Sequence, residues 1–237
     1  MIQKLLNSPR KVARNIFTAL KRAKANLLNR GTILLLGKKL QPAHLTTTLL
    51  VKEYTTELSD ILDIYKSVSR YNCYLGSDDD TRMASRLAHK MKFYAAFDGS
   101  RVIAYCWLHS ESYRFFDEIA CHVGHGKNDL WLRDVYVVPE MRGKKLFSKF
   151  IEEVIYSYYP DANNLYSDVF QNNSPSLRAH LNLGLEIIGR VQYVMLFKRF
   201  LLRKIESGKL DVTGYRFPKK LIVIDNDFYK YNEKNRC

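Results

Sequence analysis

The residues from Trp131 to Phe150, WLRDVYVVPEMRGKKLFSKF, constrain the fold more than any other stretch. Two periodicities meet in it. Trp131 to Val138 is aromatic and β-branched, the composition of a buried strand. Pro139 has no N–H to give and stops the ladder. Beyond Arg142-Gly143-Lys144-Lys145, apolar residues recur at Leu146, Phe147, Phe150, Ile151, Val154 and Ile155, along one helical face. A strand, a basic turn with a glycine and a helix start together form an anion site. The first N–H groups of the helix have no intrahelical partner, and its dipole favours negative charge there. The stretch therefore reads as a phosphate-binding turn.

DVYVVPEMRGKKLF resembles motif A of the GNAT acyltransferase superfamily, V-x-P-x-x-R/Q-x-x-G-x-G/A, through Val137, Pro139 and Arg142. The order L-x-D-hydrophobic-Y-V is most similar to the polyamine acetyltransferase branch. Lys145 stands where the motif has glycine, and Phe147 where it has a small residue. A second stretch resembles motif B of the same family, N-x-x-S/A-x-x-x-Y-x-x-x-G-F. It runs Asn173-Ser174-Pro175-Ser176, His180, Leu183-Gly184-Leu185, with His180 in place of the tyrosine. From the residues alone, Ser174 suits a helix cap, Pro175 the first turn and Gly184 the helix end.

The resemblance covers roughly residues 46 to 200. It implies an α/β (α+β) GNAT fold. In that fold a central mixed and mostly antiparallel sheet splays between its fourth and fifth strands, with helices on both faces. It implies acetyl-CoA or another acyl-CoA as cosubstrate, no metal, and a small amine acceptor. The acyl-CoA would lie on Val135, Val137, Arg142, Gly143, Lys144, Lys145, Leu146, Phe147 and Asn173. The Val137 N–H would polarise the thioester carbonyl. Acyl transfer also needs a neutral amine and a proton for the departing thiolate. His180 takes the place of the family's proton donor, and Asp134 matches the family aspartate. The polyamine branch carries a glutamate just before that aspartate, and here the position is Arg133. Strand alternation sets Asp134 and Arg133 on opposite faces, and Asp168 is a second carboxylate. The plain alternative for both aspartates is a structural hydrogen bond, and for His180 a packed helix histidine.

Apolar residues make up 46% of the 237, enough for a packed core and against disorder. No apolar run reaches the ~18 residues of a spanning helix, and the first residues lack the core of a secretory signal. Cys73, Cys106, Cys121 and Cys237 are scattered, which suits reduced thiols in the cytoplasm. Eleven of the fourteen net positive charges fall within residues 1–52, which contain no acid. Residues 9 to 29 read as an amphipathic helix, with Val12, Ile16, Phe17, Leu20, Ala23 and Leu27 on one stripe. That suits an anionic membrane surface at its inner face, or equally a helix packed on the domain. Scarce aromatics among the basic residues argue against nucleic acid.

The chain divides into a basic extension, 1–44, an acyltransferase domain, 45–200, and a basic and aromatic C-terminal extension, 201–237. Thr32 to Leu36 is an apolar run, either part of a membrane-facing patch or a small strand. Leu45 to Tyr54 reads as a strand, Thr55 to Tyr71 as a helix, and Asp78-Asp79-Asp80 as the start of another ending near Lys92. Phe93 to Phe97 and Val102 to His109 flank Asp98-Gly99 as a hairpin. Glu111, Tyr113, Phe115, Phe116, Asp117 and Glu118 mix acids with aromatics, as a cationic or amino-sugar acceptor would require. Cys121, His122 and His125 match no standard zinc spacing. Leu165 to Phe170 and Glu186 to Phe200 read as strands, the second bent near Gly189-Arg190. Leu201 to Ser207 reads as a short helix, and Leu221 to Ile224 as a strand. The expected activity is CoA-dependent N-acyl transfer to an amine of a small molecule or amino sugar. The alternatives are a GNAT-fold binding module with impaired catalysis and a peripheral membrane adaptor.

Overall fold

In the computed structural model the apolar run Ile33 to Leu36 lies in the middle of a sheet. The structure describes residues 28–41, 49–54, 57–68, 79–110, 113–116, 121–196, 200–206, 210–214 and 222–225. The elements are β1 (Leu28–Lys39), β2 (Leu50–Tyr54), α1 (Leu58–Val68), α2 (Asp79–Ala88), β3 (Lys92–Asp98), β4 (Arg101–His109), β5 (Tyr113–Phe116) and β6 (Cys121–Gly124). They continue with β7 (Asp129–Val137), α3 (Leu146–Tyr158), β8 (Asn164–Phe170), α4 (Ser174–Asn182), β9 (Glu186–Leu196), β10 (Phe200–Glu206), β11 (Asp211–Gly214) and β12 (Ile222–Asp225). Nine strands form one sheet, in the order β12-β10-β9-β1-β8-β7-β4-β3-β2, and β11-β6-β5 form a second. The large sheet is parallel at β7–β8 and β10–β12 and antiparallel elsewhere.

Helices cover both faces. On β3, Phe93 turns its ring to Tyr65 of α1, and the next residue, Tyr94, meets Tyr158 and Tyr159 near the end of α3. α1 buries Ile61, Ile64, Tyr65 and Val68 at helical spacing. On the same face the Trp107 indole N–H donates to the Tyr65 hydroxyl at 3.0 Å. α3 buries Phe150, Ile151, Val154 and Ile155 on the opposite face. The architecture is the mixed α/β GNAT fold that the resemblance implies.

β1 is buried on both sides, which is why its sequence is continuous rather than alternating. Leu34 and Leu36 join the main core, while Ile33 and Leu35 are buried outside it. Full burial of such a side chain contributes about 1.5–3 kcal/mol. The Tyr166 ring lies across Gly37, where a Cβ would stand 2.8 Å from it. Leu28–Lys39, read from the sequence as the end of a basic extension, thus pairs with β8 and β9. Residues 9–27 of the expected basic helix lie outside the described residues, and its last two, Leu28 and Asn29, begin β1.

With Ser207 outside the described residues, the helix expected over Leu201 to Ser207 is corrected to strand over Leu201 to Glu206, since β10 pairs along β9. Its apolar residues fit either period. The open edge of β9 decides the matter, and Arg190 meets Glu206 directly across the ladder at 2.7 Å. The expected bend in β9 is a one-residue slip opposite Leu35 and Leu36. Ser110 to Leu130 contains the β5–β6 hairpin, joined by β11 from the C-terminal region.

Candidate active site

β7 and β8 pair only from Asp129↔Asn164 to Leu132↔Ser167, although β7 continues to Val137 and β8 to Phe170. The cause of the divergence lies on the other edge of β7. Against β4, Tyr136 pairs with Tyr105 and Arg133 with Trp107, so Asp134 and Val135 together oppose Cys106. This is a β-bulge, and it bends the strand that carries it. Asp134 has φ +46°. The bulge also overturns the expected alternation. Arg133 shares a face with Trp107 through pairing, and Asp134 ion-pairs with Arg86, whose guanidinium lies over the Trp107 ring. Both residues therefore belong to the α1/α2 face.

The fork opens towards the C-terminal ends of β7 and β8, where the basic turn follows β7. Gly143 has φ +76° and Lys145 φ +59°, while Lys144 between them and Leu146 after them are not in the left-handed region. This alternation turns successive N–H groups to one concave side, an anion-binding nest. Lys145 caps α3 without a side-chain hydrogen bond, and the first turn holds no acid. Gly143 and Lys144 are exposed and Leu146 is buried. A diphosphate fits these residues through backbone donors, the helix dipole and lysine charge. Arg142 folds back: its Nε donates to the Val137 carbonyl at 2.9 Å, and its guanidinium lies 5.6 Å from the Tyr136 ring. The Val138 N–H donates to Ile103 at 3.0 Å. Antiparallel edges alternate, so the N–H of Val137 faces away from β4 and into the fork.

His180, on α4, packs against β8 through Ser167 and is 4% exposed. Its Nδ1 donates to the Ser176 carbonyl at 2.8 Å, and its Nε2 stands 2.9 Å from Ser167 Oγ. Ser167 Oγ is also 3.1 Å from the Leu132 carbonyl. Because a carbonyl only accepts, the Nδ1 proton is assigned. In the neutral ring, Nε2 then accepts from Ser167. If Nε2 gains a proton, it donates to Ser167, whose hydroxyl turns to Leu132. Burial lowers the His180 pKa, against smaller opposing effects of the Ser176 carbonyl and Asp168. The Phe147 ring packs 5.0 Å from the imidazole.

Asn173 is the helix cap, its side-chain oxygen accepting from Ser176 N–H at 3.3 Å, with Ser174 the first helical residue. The expected roles of these two are therefore shifted by one position, since only Asn173 stands outside the first turn. Asp168 accepts from the Trp131 indole at 2.7 Å, one residue past the last β7–β8 pair. Asp78, Glu111, Asp117 and Glu118 lie outside the described residues. Among the described residues no three His, Cys, Asp or Glu side chains gather as a metal set. Sequence reasoning missed Arg86 and Ser167. Ser167 had a signal, a hydroxyl at the buried phase of the strand between Leu165 and Val169. Arg86 had none, being one basic residue on an amphipathic helix.

The model of the acetyltransferase (GNAT) family matches residues 56–185. Comparison with curated protein sequences gives no significant match. Among solved structures, a conserved protein of unknown function from Staphylococcus epidermidis is 8% identical at TM-score 0.49, covering 81% of this chain and 67% of that one. A GCN5-related N-acetyltransferase from Sphaerobacter thermophilus is 14% identical at 0.48, with coverages of 80% and 56%. An aminoglycoside antibiotic 6'-N-acetyltransferase from Acinetobacter haemolyticus is 17% identical at 0.44, with coverages of 58% and 90%. The chain thus spans little more than half the length of the Sphaerobacter protein. With its forked sheet, its basic nest and a family model matched over more than half its length, the chain belongs to the GNAT acetyltransferase family.

Proposed function

We propose that the chain is an acyl-CoA-dependent N-acyltransferase that moves an acetyl or longer acyl group to an amine of a small molecule or amino sugar. The fork between β7 and β8, with the nest Gly143–Lys145 at its open end, carries this reading. Acyl-CoA supplies an activated thioester when bound. Arg142, Gly143, Lys144, Lys145, Leu146 and Phe147 hold its diphosphate end, and Val135 and Asn173 line the arm. The Val137 N–H polarises the carbonyl. Proton handling falls to His180, acting through Ser167, while Asp134 stands at the bulge. The polyamine branch that motif A resembles makes an extended cationic amine the first acceptor to try.

Two observations favour the second reading, a binding module with impaired catalysis. Both ring nitrogens of His180 are engaged, and a lysine occupies the left-handed position ahead of α3. The test is calorimetric titration of acetyl-CoA into the full chain and an Arg142→Glu variant, followed by thiol release with a panel of amines. Micromolar binding lost in the variant, with turnover of one amine, supports the enzyme. Binding without turnover on any amine supports the module. Silence with acetyl-CoA and longer acyl-CoAs overturns both. The basic residues up to position 29 extend the proposal to an anionic membrane surface on the cytoplasmic side. Cosedimentation with phosphatidylserine vesicles should then be lost when residues 1–27 are deleted.

A further inference from the structure

The bulge in β7 is fastened from outside its own sheet. Arg86, on α2, is 6% exposed, lies 5.2 Å from the Trp107 ring and ion-pairs with the Asp134 carboxylate. A buried guanidinium requires a close carboxylate, and the indole face adds a cation–π contact. Asp134 has φ +46°, a backbone region that glycine enters freely and aspartate only with support. The pair thus ties α2 to the bulge, two residues past the last β7–β8 pairing.

We infer that Arg86 is a positioning residue for acyl transfer: through Asp134 it holds the bulge in shape, and the bulge aims the Val137 N–H into the fork. The inference rests on the N-acyltransferase reading and refines the part of Asp134, whose carboxylate then serves the backbone rather than the amine. A structural role alone would leave the bound thioester carbonyl unchanged, so the carbonyl is the quantity to measure.

The full chain is loaded with acetyl-CoA carrying carbon-13 at the acetyl carbonyl, and the C=O stretch is read by infrared difference spectroscopy. The wild type lowers the stretch relative to free acetyl-CoA. Arg86→Gln loses most of that shift, while its calorimetric Kd for acetyl-CoA stays within about threefold, because its contacts run to Asp134 and Trp107 and not to the nest. The Arg86→Gln/Asp134→Gly double variant regains the shift, since glycine holds the bulge unaided and no buried guanidinium is left without its carboxylate. With an amine that is turned over, kcat of Arg86→Gln falls about 10²-fold, as for loss of an oxyanion donor. An unchanged stretch in Arg86→Gln overturns the inference alone. So does a double variant that binds acetyl-CoA and regains the shift but not turnover, which would make the carboxylate a base. If Arg86→Gln does not fold, the double variant, free of both charges, decides: a wild-type shift supports the inference and no shift overturns it. Absence of acetyl-CoA binding to the wild type overturns the acyltransferase reading first, and this one with it.

Discussion

Replacing Lys145 separates two costs that the present residue combines. It has φ +59° and ψ +14°, and it heads α3 without a side-chain cap. A left-handed conformation costs an L-residue about 1–2 kcal/mol. A cation at a helix N-terminus costs a further ~0.3–1 kcal/mol. Lys145→Ala removes the charge and keeps the strained backbone. Lys145→Gly removes both, against about 0.5–1 kcal/mol of extra chain entropy in the unfolded state. The glycine variant should therefore exceed the alanine variant by roughly 0.5–1 kcal/mol. In a chain of 237 residues that is about 1–4 °C in melting temperature. Urea denaturation at matched pH and salt measures the difference directly. Both variants lose the same charge, so acetyl-CoA affinity reports backbone approach, and the glycine form should bind more tightly. A glycine variant no more stable than the alanine one would refute a left-handed Lys145 and, with it, the nest.

Further outcomes follow from the same geometry. Gly143→Ala should destabilise by roughly 0.5–1 kcal/mol and weaken acetyl-CoA binding, because its φ is +76° although no atom lies within 4 Å of an added Cβ. Burial lowers the pKa of both His125 and His180. The unfolded chain then binds protons first as pH falls, so the stability from neutral burial is complete above the ordinary 6.5 and is lost below it, through the folded values. Denaturation midpoints between about pH 7.5 and 5 should fall, and His180→Gln should flatten the slope. Leu35→Ala, at a fully buried position of β1, should cost about 2–5 kcal/mol by urea melts. Deletion through residue 39, which removes β1, should abolish cooperative unfolding.

Local signals carried much of the fold. The Asp98-Gly99 hairpin, the β7–turn–α3 unit and the helix after Asn173 stand where turn chemistry and periodicity place them. What escaped was set by distant partners. Leu201 to Glu206 satisfies either helical or strand spacing, and only the vacant edge of β9 makes it a strand. The run Ile33 to Leu36 is short enough for several fates, and its neighbours in the sheet lie far along the chain. At the site, motif residues marked the turn, but the bulge at Asp134 breaks the alternation that any reading of Arg133 and Asp134 assumes. Arg86 could not be found locally, because its partner is fixed by packing of α2 on the sheet.

β1 has a consequence for how the molecule is made. It is synthesised well before its partners, since Leu28 pairs with Leu196 and Ile33 with Phe170. At ~5–20 residues per second, the nascent apolar strand waits roughly ten to thirty seconds on the ribosome for β8 and β9 to emerge. During that interval its unpaired edges and its Ile-Leu-Leu-Leu run are open to association with other chains. Closing so long a loop also makes folding slow relative to local hairpins. Expression at reduced temperature, or with a holdase present, should therefore raise the soluble yield of the intact chain far more than that of a β3–β4 fragment.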